Sequence, residues 1–255
     1  HMRRNFGSTL APWVSLGTAC TPAWAYDLKP IVIQLAPSGG GASQMIMVTN
    51  TEDAPIAIEA KTFQRTQSRD GTEMLEPENE DVILAPPQMI IPPKTSQTFK
   101  VQWIGNPRPD KELAFRLITE QLQIELPEAP TTTQKTADVR LQYRYEAALY
   151  ITPAKSAPAL TVDGAELVKD DKGAPMLKLS LTNGGTRRAI PDKPELTLTP
   201  GVGGNAVTLS GDQLNALAGK NILAGESRDI LMPWPEALPQ GPVTASLKTS
   251  FIVLN

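Results

Sequence analysis

The sequence has almost no side chains for acid–base or thiol chemistry. Its 255 residues include one histidine, His1, and one cysteine, Cys20. These counts exclude a Ser-His-Asp triad, a Cys-His pair, a Cys/His zinc site and a histidine general base. Aromatic residues make up 5% of the chain, too few to favour a sugar-stacking cleft around paired carboxylates. The composition therefore predicts a protein that is not an enzyme and has no metal or cofactor.

An excess of charge of one sign is also missing. Lys and Arg number 24 and Asp and Glu number 27, which gives a net charge of −3, and the basic residues are scattered. This pattern argues against a nucleic-acid partner. The glycine-rich stretches 38–43 and 201–205 lack the spacing of phosphate-binding loops. The acidic stretch 76–81 lacks the spacing of a calcium loop and predicts a solvated loop.

Long apolar runs are absent after residue 25, where no stretch reaches the 18 residues of a membrane-spanning helix. Before that point, Arg3 and Arg4 precede a moderately apolar segment that ends in Ala-Trp-Ala at 23–25, a small-x-small cleavage site. We therefore predict that residues 1–25, which begin with an expression remnant, are a secretory signal. A disordered leader is the alternative. Cleavage would remove Cys20, so both cores must form without disulfides.

Proline and glycine are plentiful, at 24 and 18 residues, and lie between short alternating or apolar runs. This is typical of an all-β sandwich. The first set of predicted strands covers 31–35, 43–50, 56–65, 81–86, 88–93, 97–105, 113–124 and 137–152. A second set follows residue 159, and the Pro/Ala/Ser stretch 153–158 predicts a hinge between two domains, 26–152 and 159–255. A helical turn at Ser210–Gly219 is predicted, with a loop as the alternative.

One predicted strand, 137–152, is unusually long. Its apolar side chains alternate with mostly polar ones over thirteen residues and share one face: Val139, Leu141, Tyr143, Tyr145, Ala147, Leu149 and Ile151. Thirteen residues at roughly 3.3 Å each span about 43 Å, roughly twice the usual strand length. One small domain is too short to cover such a face, which raises the question of what the far half contacts.

Five segments, in order along the chain, resemble those of periplasmic pilus chaperones of the chaperone–usher pathway, the PapD-like family. They are 45–63 with Asn50 and Pro55 at a turn, 83–107 with Lys100 in the family's basic position, 113–129, 181–190 and 221–235. The resemblance covers roughly residues 26–255. It implies two immunoglobulin-like β-sandwich domains in a boomerang arrangement.

The resemblance also implies what the long strand does. A pilus subunit resembles an immunoglobulin fold that lacks its last strand, and the chaperone supplies a strand to the open groove. The family's donor positions fall on Val139, Leu141 and Tyr143, whereas Leu149 and Ile151 are expected in the chaperone's own core. The alternative is that the donor positions line that core too. The implied partners are pilus subunits and an outer-membrane usher, in the periplasm and without ATP or metal. Self-association of the free protein stays open.

The sequence departs from the family pattern where many members anchor the subunit's terminal carboxylate. The position in the long strand is Ala148, and strand A carries just Lys29, near its start. The chain therefore resembles the divergent archaic branch. Arg116, which interrupts an apolar run, is our first candidate for the anchor, with a salt bridge to Glu120 or another acid as the alternative. Arg144 is second, with solvation as its alternative, and Lys29 is third.

A second function from a different class is a structural or adhesive β-sandwich, such as a surface protein or pilus subunit. A subunit should have one incomplete domain and an N-terminal donor extension. This sequence instead has two complete-looking sets of strands and its best donor inside the first set. We therefore prefer the chaperone.

Overall fold

The computed structural model describes residues 26–123 and 143–254, and these residues are almost entirely β-structure. The strands of the first half are β1 (Tyr26–Lys29), β2 (Val32–Leu35), β3 (Ser43–Asn50), β4 (Ile56–Gln67), β5 (Glu73–Pro77), β6 (Val82–Ala85), β7 (Gln88–Ile91), β8 (Ser96–Trp103), β9 (Leu113–Leu122) and β10 (Arg144–Ile151). The strands of the second half are β11 (Leu160–Lys169), β12 (Pro175–Asn183), β13 (Pro191–Pro200), β14 (Val207–Ser210), β15 (Ser227–Pro233) and β16 (Val243–Phe251). The predicted all-β class is confirmed.

The first half forms a sandwich of two sheets. One sheet has the strand order β1-β3-β8-β6 and the other β2-β10-β9-β4-β5, with β7 also paired to β4. Alternate side chains from the two sheets meet in a common core, which includes the fully buried Tyr26, Ile46, Phe99, Leu117 and Leu149. This core places β10 in the interior of the second sheet, between β9 and the short edge strand β2.

The second half forms a smaller sandwich. Its sheets have the orders β11-β12-β15 and β14-β13-β16, and their inner faces enclose a separate core that includes Leu177, Leu181, Leu196 and Leu217. The two predicted immunoglobulin-like sandwiches are therefore confirmed. Strand β10 ends at Ile151 and β11 begins at Leu160, on either side of the predicted hinge. The exact boundaries 26–152 and 159–255 stay a prediction.

Two buried asparagines organise equivalent turns in the two sandwiches. The Asn50 side-chain amide, at the end of β3, donates to the carbonyls of Ala54 at 2.8 Å and Ile91 at 3.0 Å. Asn183, at the end of β12, likewise donates to two carbonyls at 2.8 and 3.0 Å. Both asparagines are fully buried, and their amide donors are satisfied by these backbone oxygens.

Some local predictions require correction. Strand β5 lies outside the predicted strands because it is short and alternates weakly. The predicted list begins at residue 31 and so omits β1, which is short although its residues alternate between buried and exposed. The acidic stretch 76–81 is not simply a solvated loop, because Glu78 is buried and its Oε1 accepts the backbone N–H groups of Glu80 and Asp81 at 2.8 Å each. A 3₁₀ turn covers Gly211–Leu214, within the predicted helical turn, and Leu214 is fully buried.

The described part of the chain lacks a membrane-spanning helix and a metal-binding cluster of side chains. Residues 26–123 and 143–254 contain no helix with the length and apolar character needed to cross a membrane. The same residues contain no group of three or more His, Cys, Asp or Glu side chains arranged to hold a metal ion. The predicted signal at 1–25, together with Val139 and Leu141, lies outside the described residues.

Candidate functional site

Strand β10 has one edge that is only partly paired. Strand β2 runs parallel to it and pairs with Ala148–Ile151, starting at the hydrogen bond from Ala148 N–H to Ile31 C=O. The opposite edge pairs with β9 along its whole length. Among the described residues, no strand lies beside Arg144–Ala147 on the β2 side.

The phase of the ladder shows which backbone groups this open edge presents. Gln121 N–H donates to Tyr143 C=O at 3.0 Å, so the odd-numbered residues of β10 bond to β9. The N–H and C=O groups of Arg144 and Glu146 therefore point away from β9 and toward the open edge. They can bond to a strand added there.

The odd-numbered side chains of β10 face the core of the first sandwich. Leu149 and Ile151 are fully buried, as predicted for the half of the strand nearest the hinge. Tyr145 packs against Tyr26 with ring centroids 4.8 Å apart, and its hydroxyl donates to Tyr26 C=O at 2.6 Å. Tyr143 is partly buried and packs against the same core. Its assignment as a donor residue, like those of Val139 and Leu141, stays a prediction.

The opposite face of β10 is buried at its hinge end as well, because the second sandwich covers it. Ala148 and Tyr150 pack against Leu223 of that sandwich. The Tyr150 hydroxyl accepts from Arg65 Nη1 at 2.9 Å and from Asn221 Nδ2 at 2.8 Å. The Arg188 guanidinium lies 3.9 Å from the centroid of the Tyr150 ring. The long strand thus has two buried faces near the hinge.

The three predicted anchor cations have different surroundings. Lys29 is exposed, 3.6 Å from Asp27 Oδ2. Arg144 is half-exposed and pairs with Glu120 at 3.3 Å and with Glu146 at 3.2 Å. Arg116, on β9, is mostly buried and donates from Nε to Glu73 Oε1 at 2.9 Å. Of the three, Arg116 has the least contact with solvent.

Arg65 is a fourth cation that sequence reasoning missed. It lies on β4, its side chain is 7% exposed, and its Nε forms an ion pair with the same Glu73 oxygen that Arg116 contacts. That contact is not aligned as a hydrogen bond, and Arg65 Nε has no other hydrogen-bond partner. We call Arg65 and Arg116 the arginine pair, and Glu73 is the carboxylate that they share. Two guanidinium groups share one carboxylate, so the cluster carries one excess positive charge.

A buried ion pair joins the two sandwiches beside this cluster. Glu112 Oε2 accepts from Arg188 Nη1 and from Thr152 Oγ1, both at 2.6 Å. Glu112 Oε1 accepts the Arg188 backbone N–H at 3.1 Å. Gln34 Oε1, on β2, accepts from Arg188 Nη2 at 3.1 Å. Both carboxylate oxygens of Glu112 thus have partners, as a buried charge requires.

The hairpin formed by β4 and β5 makes a second contact between the sandwiches. At its tip, Arg69 donates from Nη2 to Asp229 Oδ1 at 3.0 Å, and Asp229 N–H donates to Arg69 C=O at 2.7 Å. The hydrogen bond from Arg69 lowers the pKa of the Asp229 carboxyl. Beside it, burial raises the pKa of Glu226, which accepts the Gln67 backbone N–H at 3.0 Å.

Comparison with known proteins gives one family match. Residues 32–157 match the family model described as pili and flagellar-assembly chaperone, PapD N-terminal domain. No curated protein sequence matches the chain.

Three solved structures share the fold. A chaperone–tip adhesin complex of CFA/I fimbriae biogenesis has a TM-score of 0.56 at 16% identity and covers 90% of this chain and 99% of its own. The CsuC–CsuE complex of archaic Csu pili of Acinetobacter baumannii has a TM-score of 0.55 at 17% identity, and the match covers 89% of this chain and 96% of that structure's chain. The class 5 fimbriae chaperone CfaA has a TM-score of 0.54 at 16% identity, and the match covers 89% of this chain and 100% of that structure's chain. The archaic and class 5 structures are equally similar, so the fold does not separate these branches.

Proposed function

Because the chain belongs to the PapD-like family of pilus-assembly chaperones, we propose that it caps pilus subunits by donating strand β10 and its upstream extension. The donor side chains in this proposal are Val139, Leu141 and Tyr143. The chain then delivers the capped subunit to an outer-membrane usher in the periplasm, and exchange with the next subunit's own strand releases it. None of these steps requires nucleotide or metal.

The observation that supports the proposal best is the open edge of β10. Strand β2 stops pairing at Ala148, and the backbone of Arg144 and Glu146 continues the ladder outward with no described partner. A subunit that lacks a strand needs both a ladder and apolar side chains in its groove. The open edge supplies the ladder, and the alternating residues upstream supply the side chains.

Arg116 is the proposed anchor for the subunit's terminal carboxylate, and Arg65 is its partner. Two guanidinium groups that face one point suit a carboxylate, since charge-assisted hydrogen bonds are the strong ones. Arg144 and Lys29 are weaker candidates because they are more exposed. The small Ala148 lies directly across the sheet from Arg116, so no cation on β10 is needed for this arrangement. We retain the archaic branch as part of the proposal.

The alternative, a structural or adhesive β-sandwich, receives less support. A subunit would present its donor segment outside a sandwich with a missing strand. In this chain the open edge lies within the first sandwich, and both sandwiches have two packed sheets around a buried core.

Co-expression tests the proposal. The chain is produced in the periplasm with a small secreted β-protein encoded beside it, and the yield and protease resistance of that protein are measured. We expect a soluble complex that forms without nucleotide and protects the subunit. Equal recovery of intact subunit with and without this chain would contradict the proposal.

A further inference from the structure

Glu73 occupies a position that suits an exchangeable ligand. It is the first residue of β5, an edge strand, and its side chain is 25% exposed. The arginines that it pairs with are far less accessible, at 7% for Arg65 and 19% for Arg116. The carboxylate can therefore rotate into solvent while the two guanidinium groups stay in place.

The arginine pair is not fully satisfied by Glu73. Arg116 Nε donates a hydrogen bond of 2.9 Å to Glu73 Oε1, whereas Arg65 Nε contacts the same oxygen without the alignment of a hydrogen bond. Arg65 is anchored separately, through Nη1 to the Tyr150 hydroxyl at 2.9 Å. A buried guanidinium N–H without an acceptor is costly, so this site has capacity for a better-placed carboxylate oxygen.

The charge balance of the site also favours a carboxylate as its ligand. Removing Glu73 from the site would leave two buried cations unpaired, which is unfavourable unless another anion replaces it. Beside the pair, the position next to Arg116 on β10 is Ala148, which brings no charge of its own to the site. A planar carboxylate with two oxygens can accept a hydrogen bond from each Nε–H group, whereas Glu73 Oε1 accepts one from Arg116 and none from Arg65 Nε.

We propose that Glu73 is a resident carboxylate that holds the Arg65–Arg116 site in the free protein and is exchanged for a carboxylate of the bound partner. The inference rests on the proposed function in that the partner is a captured subunit. It adds that Glu73 competes, from within the chain, with the subunit's carboxylate for the arginine pair. Glu73 keeps the arginines paired and oriented until the subunit arrives, and it weakens binding of any free carboxylate.

Acetate is the probe for this site, and the readout is the NMR signal of each arginine Nε–H group. Glu73→Ala opens the site, and Glu73→Gln removes the charge with little change in shape. Sodium chloride at equal ionic strength is the salt control. Glu166→Gln is the matched control variant, since Glu166 pairs with Lys178 at 3.5 Å in the second sandwich, outside the site.

We expect acetate to shift the Arg65 and Arg116 signals of the Glu73→Ala protein saturably, with an affinity at least roughly tenfold above that of the unmodified chain. Glu166→Gln should behave like the unmodified chain. A folded Glu73→Ala protein whose signals do not respond to acetate would overturn the inference. Should Glu73→Ala not fold, the same criterion applies to Glu73→Gln.

Subunit capture is measured separately so that the two proposals can fail independently. Acetate binding by a Glu73 variant in a chain that captures no subunit would contradict the chaperone function and support the exchangeable site. Normal capture together with unresponsive arginines in both Glu73 variants would contradict the exchangeable site alone.

Discussion

Arg116 is the first anchor candidate because its charge interrupts an apolar strand, and such a charge needs a partner. The structure gives it one, Glu73, which lies 43 residues earlier and on a strand that was not predicted. Arg65 escaped prediction because its surroundings in the sequence are polar, so its burial depends on the second sandwich. Sequence pattern thus indicates which residues must be paired. It does not indicate which distant strand supplies the pair.

The first prediction concerns Arg116. Arg116→Ala should leave the fold intact and weaken subunit capture roughly ten- to a hundredfold, as loss of a charge-assisted hydrogen bond of about 1.5–3 kcal/mol implies. Affinity for a purified subunit is the measurement, and Arg144→Ala is the exposed control. If a subunit without its terminal carboxylate binds the unmodified chain normally, Arg116 is a structural residue.

A second prediction at the residue scale concerns pH and Asp229. Because Arg69 lowers the pKa of Asp229, the folded protein binds that proton less readily than the unfolded chain. The resulting stability is present above the ordinary aspartate pKa of about 3.9 and is lost as the pH falls below it. Arg69 is half-exposed, so the contribution should be at most about 1 kcal/mol.

Denaturation of the unmodified chain and of Asp229→Asn across pH 2 to 7 checks this expectation. The difference in free energy of unfolding should be constant above about pH 5 and shrink as the pH falls below it. A difference that grows on acidification would have the wrong sign and would contradict the assigned role of Arg69.

At the scale of elements, β10 combines two environments along one strand. Its alternation predicted a buried half near the hinge, and full burial of Leu149 and Ile151 agrees with that. The pattern could not predict that β2 would stop pairing at Ala148, because the extent of a neighbouring strand depends on tertiary packing. It also missed the burial of Tyr150, since the covering residues belong to the other sandwich.

Proline substitutions test the open edge of β10. Glu146→Pro removes an N–H that points to the open edge, so the free protein should stay folded, since edge strands accept proline. Subunit capture should weaken by about 0.5–1.5 kcal/mol or more through the lost ladder bond. Tyr145→Pro is the matched control, because its N–H bonds to β9 and its loss should destabilise the first sandwich.

Thermal unfolding and subunit pull-down of both proline variants give the answer. If Glu146→Pro destabilises the free protein as strongly as Tyr145→Pro, the edge is already paired within the chain. The ladder would then be unable to receive a subunit strand.

At the scale of the whole molecule, buried polar contacts fix the two sandwiches together. The proline-rich stretch 153–158 predicted a hinge, and composition gave no sign of the Glu112–Arg188 pair, whose residues lie 76 positions apart. Arg188 lies in the segment 181–190, which resembles the family. Its contact with Glu112 follows from how two domains pack, which no local pattern encodes.

Removing one partner of this pair should be severe. Arg188→Ala would leave the Glu112 carboxylate buried without its cation and should lower the free energy of unfolding by about 3–5 kcal/mol. The double variant Glu112→Leu with Arg188→Met removes both charges and should lose less. Chemical denaturation measures the free energy of unfolding of the single and the double variant. Equal losses in the two variants would show that the unpaired charge is not the source of the effect.

The central claim is that the far half of the long strand serves a guest, whereas the near half serves its own core. Burial of one large apolar side chain contributes about 1.5–3 kcal/mol, so a charge at either place is costly wherever that place is buried. Leu141→Asp and Leu149→Asp are therefore compared by thermal melts and by pull-down of a co-expressed subunit. We predict that Leu141→Asp keeps the melting temperature and abolishes capture, whereas Leu149→Asp unfolds the first sandwich. Unfolding by Leu141→Asp as severe as that by Leu149→Asp would contradict the account, because the whole strand would then be core.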